Sequence, residues 1–96
     1  MNLPERVRFD LIALAKSYDI DKMVLFGSRA REDNNAKSDV DIAVYGCRDF
    51  TNFYFDVEER VWTLLMFDIV NMDKDVSDEL KREINRDGVI IYEKIR

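Results

Sequence analysis

An α+β fold, with helices packed on one mixed sheet of about four strands in a two-layer α/β arrangement, is what the sequence predicts. Three observations predict it. Apolar residues recur in turn at helical steps of three and four and in short runs of strand length. The alternation gives the order α-β-α-β-α-β-α-β, which suits helices lying on a single sheet. The 96 residues contain no repeat, no low-complexity stretch and no linker, and they suffice for one modest core, so residues 1–96 read as one domain.

Leu3, Val7, Leu11, Leu14 and Tyr18 form the first apolar helical stripe, and Pro4 suits the first turn of that helix. Met23 to Phe26 is a short apolar strand. It ends in Gly27-Ser28, after which Arg29 to Asp33 continues as a short helix. Asn34, Asn35 and Ser38 mark a loop. Val40 to Tyr45 is a β-branched strand closed by Gly46. Phe50, Phe53, Tyr54, Val57, Val61 and Leu64 make a second long stripe, with Asp49 near its start. Leu65 to Met72 reads as a strand interrupted by one charge, Asp68. Val76, Leu80 and Ile84 step by four; Asp75 and Ser77 are candidate caps for that helix, and Gly88 its stop. Val89 to Tyr92 is the last strand.

Composition narrows the chemistry. Charged residues make up 36% of the chain and hydrophobic ones 47%, so it is not a disordered chain. Fifteen Lys and Arg against 20 Asp and Glu leave a net charge of -5, which argues against bulk binding to nucleic acid. No apolar run approaches the about 20 residues of a membrane span. The start, Met1-Asn2-Leu3-Pro4-Glu5-Arg6, lacks the pattern of a secretory signal. The single cysteine, Cys47, cannot form an internal disulfide, which points to a reducing cytoplasm; it reads as a small inert residue. With no histidine, Ser-His and Cys-His catalysis and histidine-bound zinc are excluded. Carboxylates, hydroxyls, Lys and Arg must carry any reaction.

Two motifs stand out. Phe26-Gly27-Ser28-Arg29-Ala30-Arg31 sets a Gly-Ser turn between a strand and a helix. Free N–H groups at a helix start bind phosphate, glycine admits close approach, and serine adds a hydroxyl donor. Taken alone, the same pair also fits an ordinary helix cap. The second motif is Ser38-Asp39-Val40-Asp41-Ile42-Ala43-Val44. Strand alternation points Asp39 and Asp41 to one face. Like charges side by side repel, and a hard cation such as Mg²⁺ between them relieves the repulsion. A solvated strand edge is the plainer reading of an isolated Asp-x-Asp. Asp68, inside Leu64-Leu65-Met66-Phe67-Asp68-Ile69-Val70, is a charge in an apolar run, costly unless paired. It reaches the same site if its strand neighbours the Val40 strand; a frayed strand end or an Arg partner is the alternative. Asp56 and Asp73 are weaker candidates. Phe50, Phe53, Tyr54, Phe55 and Trp62 read mainly as core, with Phe55 and Trp62 off the stripe and available to a partner.

Gly27-Ser28, ten residues, then Asp39-Val40-Asp41 and an apolar strand resembles the signature of polymerase-beta-like nucleotidyltransferases. The short chain, the Phe-Gly-Ser-Arg-Ala-Arg run and the Ser-Asp-Val-Asp-Ile run are similar to the minimal nucleotidyltransferases (MNT), antitoxin partners of HEPN-domain toxins. The resemblance implies a cytoplasmic enzyme that uses two Mg²⁺ ions. Asp39, Asp41 and Asp68 would be catalytic metal ligands, with Asp68 also helping to take the acceptor proton. Gly27 and Ser28 would cradle the phosphates of ATP, with Arg29 and Arg31 available to steady them or to face solvent. Family members often carry glycine where this chain has Glu32, a negative side chain near the phosphate loop.

The resemblance also implies the acceptor. Related antibiotic nucleotidyltransferases hold theirs with an additional domain, for which 96 residues leave no room. The minimal family instead transfers AMP from ATP to a tyrosine of its cognate HEPN RNase toxin and silences it, in a hetero-oligomer without direct nucleic-acid or membrane binding. The alternative is a module that neutralises the toxin by masking it, with a vestigial site. A third reading is a homo-oligomeric small-molecule nucleotidyltransferase.

Overall fold

A computed structural model of the chain describes residues 1–95. The elements are α1 (Glu5–Ser17), β1 (Lys22–Phe26), α2 (Ser28–Arg31), β2 (Val40–Tyr45), α3 (Phe50–Arg60), β3 (Phe67–Asn71), α4 (Asp78–Asp87) and β4 (Val89–Glu93). Order and type follow the alternation in the sequence. The sheet runs β3-β2-β1-β4. β1 is antiparallel to β2 and β4, and β2 is parallel to β3, so the sheet is mixed.

Alternation along β2 divides the molecule. Val40, Ile42 and Val44 enter the main core with Val7, Leu11 and Leu14 of α1 and Phe53 and Val57 of α3. These helices bury the stripes expected of them because their apolar residues recur at the helical period. The other face of the strands carries Val24, Phe26 and Ala43, which pack on Ile84 of α4. One helix on this second face therefore adds a partial third layer to the expected two. Asp41 belongs to this face, beyond the cover of α4.

Among the boundaries that differ from expectation, two bear on the site. α3 ends at Arg60, where Val61 turns extended at the C-cap, so Leu64 leaves the stripe and is fully exposed. β3 begins at Phe67 rather than Leu65 and lies at the sheet edge. Asp68 is accordingly exposed, not a charge inside an apolar strand. Its cost of burial disappears, because an edge strand presents one side of its backbone and half its side chains to water. α4 is capped by Ser77, whose Oγ accepts from Leu80 N–H at 3.2 Å; Asp75 is not the cap. Gly88 stops the helix as expected. Its φ is negative, and glycine is required there by space: a Cβ would lie 2.3 Å from the Ile84 carbonyl oxygen.

Candidate active site

The β1–β2 register sets Phe26 opposite Asp41, and the β2–β3 register sets Asp41 beside Asp68. Parallel neighbours in register project to the same face. Asp39, two residues before Asp41, is exposed just outside β2. Asp41 and Asp68 thus adjoin across the strands, with Asp39 at the same end of β2 and Gly27-Ser28 on the adjoining strand end.

Gly27 explains the close fit. Its φ is +74°, and a Cβ there would lie 2.2 Å from Asp41 Oδ2. Only glycine takes this backbone conformation without strain and leaves the carboxylate its room. α2 is a single turn, closed by Arg31 N–H donating to the Gly27 carbonyl at 3.2 Å. So short a helix adds little macrodipole, and the phosphate-binding capacity expected of it reduces to the local amides and the half-buried Ser28 hydroxyl.

Electrostatics single out Asp41. Its carboxyl is pushed up to about 6, first by burial and then by the negative charges of Asp68, Asp39 and Glu83; Arg31 opposes the shift. The site is short of positive charge. The carboxylate oxygens of Asp39, Asp41 and Asp68 are the donor type a hard divalent cation requires. Among the described residues no group of three or more carboxylates or thiols is gathered as it stands into a set that could hold a metal ion. The donor types fit Mg²⁺, and Asp39, Asp41 and Asp68 are the residues that would hold it.

The two arginines part company. Arg29 is buried. Its Nε donates to the Ser38 carbonyl at 3.0 Å, Nη1 to Asn2 at 3.0 Å and Nη2 to Ala36 at 3.2 Å. Those donors clamp the loop that delivers Asp39, so Arg29 does not face solvent. Arg31 stays on the site face. It donates to Asp33 at 3.0 Å and pairs with Glu83 at 3.6 Å and Asp87 at 3.8 Å. Asp33 and these α4 carboxylates hold its guanidinium charged. Glu83 and Asp87 escaped the sequence reading, since their pairing with Arg31 is non-local and their helix was read only for its apolar stripe.

Glu32 also resolves. It closes α2 in the left-handed conformation, φ +66°, which glycine adopts most readily. Its carboxylate pairs with the Met1 ammonium at 2.8 Å, which holds it below its ordinary range. The negative charge is therefore engaged at the N-terminus. Elsewhere, Asp56 accepts from the Tyr18 hydroxyl, and Asp73 accepts from Gly46 and Cys47 N–H at 3.0 and 3.1 Å. Cys47 is a buried free thiol pushed up by burial. Among the described residues no helix is long and apolar enough to cross a membrane.

Comparison with known proteins gives the same architecture. No curated protein matches the chain. Among solved structures, a toxin–antitoxin with AMP-PNP is 18% identical, with a TM-score of 0.71 over 91% of this chain and 73% of that one. A MntA–HepT toxin–antitoxin mutant is 16% identical, with a TM-score of 0.70 over the same shares. A protein from Sulfolobus solfataricus described as a nucleotidyltransferase is 22% identical, with a TM-score of 0.60 over 94% of this chain and 79% of that one. At these identities the likeness is one of fold. The sequence itself matches the family described as Polymerase beta, Nucleotidyltransferase over residues 10–96. That match spans nearly all the elements that build the site, and the chain belongs to the polymerase beta nucleotidyltransferase family.

Proposed function

We propose that this chain is an antitoxin of the MNT type that transfers AMP from ATP to a tyrosine hydroxyl of a cognate HEPN-type RNase toxin. The observation that carries the reading is the abutment of Asp41 on Gly27, with Asp68 in register beside it. Two carboxylates in register meet the Gly-Ser turn there. The toxin–antitoxin structures of like fold, one of them with AMP-PNP, favour a toxin as partner and ATP as nucleotide.

In this reading Asp39, Asp41 and Asp68 would hold two Mg²⁺ ions. The chemistry those ions supply when bound is charge neutralisation at the entering and leaving oxygens of the α-phosphate. The residues do the rest. Gly27 gives the Asp41 carboxylate its room at the turn, and the turn's amides and the Ser28 hydroxyl would donate to the β- and γ-phosphates. Arg31, held by Asp33, Glu83 and Asp87, is positioned to turn toward the triphosphate. Asp68 lies at the open sheet edge, where an acceptor hydroxyl can approach, and takes its proton. The tyrosine oxygen then bonds to the α-phosphorus as the bond to the bridging oxygen breaks, and pyrophosphate leaves. Asp68 passes the proton to water.

A masking antitoxin with a weakened site is the second reading, favoured by the lack of a gathered ligand set among the described residues. Intact-mass analysis of the toxin after incubation with this chain, ATP and Mg²⁺ separates the two. Added AMP supports transfer; suppression of the RNase with no mass gain supports masking.

A further inference from the structure

Apolar side chains stand out of the fold beside the carboxylates. Trp62 is 81% exposed, Met66 67%, and Leu64 wholly exposed. All three lie in the connection between α3 and β3. Trp62 and Leu64 line one shallow depression with Glu58 and Glu59. Leu64 also borders the Asn34–Ala36 loop that leads to Asp39. The Met66 carbonyl accepts from Val40 N–H at 2.8 Å, and Val40 is the residue between Asp39 and Asp41. Large apolar side chains grouped on one exposed segment, rather than scattered singly, mark an interaction surface.

We propose that the acceptor protein docks on the Trp62–Leu64–Met66 ridge, which presents its hydroxyl to Asp68. This rests on the nucleotidyl-transfer reading above. Charge complementarity identifies the occupant. The ridge is rimmed by Glu58 and Glu59, on a chain of net charge -5. An RNase must carry Lys and Arg to hold RNA phosphates. A protein with an apolar groove bordered by such cations fits both the ridge and its rim. Position supports the same choice, since Met66 and Asp68 are two residues apart in sequence. A protein seated on the ridge has its surface at the open edge of the site.

The test uses the full chain and, as probe, a purified cognate HEPN-type RNase. Trp62→Ala and Leu64→Glu change exposed side chains, and circular dichroism verifies that they fold. Ile90→Thr is the control. It removes a comparably exposed apolar group from β4, at the opposite edge of the sheet. The ridge variants are expected to weaken the complex by about tenfold or more, the effect of removing an interface anchor. Transfer of AMP falls in step, while Mg²⁺-ATP affinity and the Ile90→Thr variant stay at the wild-type level. Wild-type affinity in both ridge variants would overturn the proposal, as would failure of the wild-type chain to bind the RNase. So would a wild-type dimer that Leu64→Glu dissociates, which would make the ridge a self-interface. A wild-type complex that forms without AMP transfer counts against the transfer reading alone, since loss of affinity in the variants still supports docking.

Discussion

Asp41 is the residue on which stability and reactivity pull in opposite directions. Its folded carboxyl titrates at about 6 against an ordinary 3.8, so the folded state binds that proton more tightly than the unfolded chain. The stability this proton contributes is present below about pH 4 and is lost as pH rises through about 6. Metal-free protein should therefore lose stability across that window, and Asp41→Asn should flatten this part of the slope and raise the melting temperature near neutrality. Thermal unfolding in a chelator at several pH values checks this; an unchanged slope in the variant would contradict it. Gly27→Ala acts at the same contact. A Cβ would collide with Asp41 Oδ2 at a backbone conformation that disfavours side chains, and the expected loss is about 1–3 kcal/mol. Arg29 and Arg31 separate by measurement as they do by geometry. Arg29→Met strips buried carbonyl partners and should cost about 2–3 kcal/mol in urea unfolding. Arg31→Met should barely move the unfolding curve and should raise the KM for ATP.

At the scale of elements, strong periodicity made the fold legible. The stripes of α1 and α3 and the β-branched run of β2 announce themselves, because burial of one face imposes the period. The breaks are where local pattern and tertiary placement part. Leu64 and Leu65 continue an apolar pattern past the end of α3, and nothing local tells an exposed docking ridge from a core stripe. Asp68 was found for a reason the sheet order removes, since only the placement of β3 at the edge shows its charge to be solvated. The pairing of Asp41 with Gly27 and Asp68 was legible as juxtaposed motifs. The burial of Arg29 was not, because its partners are backbone carbonyls, which no side-chain pattern announces. α4 supplies the carboxylates that hold Arg31, and its Ser77 cap anchors it. Ser77→Ala should cost about 1 kcal/mol. Replacing Glu32 with glycine tests the turn after α2. Mg²⁺-ATP affinity should stay at the wild-type level, since the carboxylate is tied to the Met1 ammonium; a marked gain in affinity would place that charge at the phosphates after all.

At the scale of the whole molecule, the absence of histidine is consistent with a site built on carboxylates and backbone. The sheet places β2 beside both partners it needs: β1 brings the Gly-Ser turn and β3 brings Asp68. α1 and α3 fill one face, and α4 leaves the carboxylate end of the other uncovered. An open edge with an apolar ridge at its border suits an acceptor that arrives on another protein. The most direct test is the intact mass of the RNase toxin after incubation with ATP, Mg²⁺ and either the wild-type chain or Asp41→Asn. Added AMP is expected with the wild-type chain and none with the variant. An unmodified toxin whose RNA cleavage is nonetheless suppressed by both proteins would contradict the transfer reading.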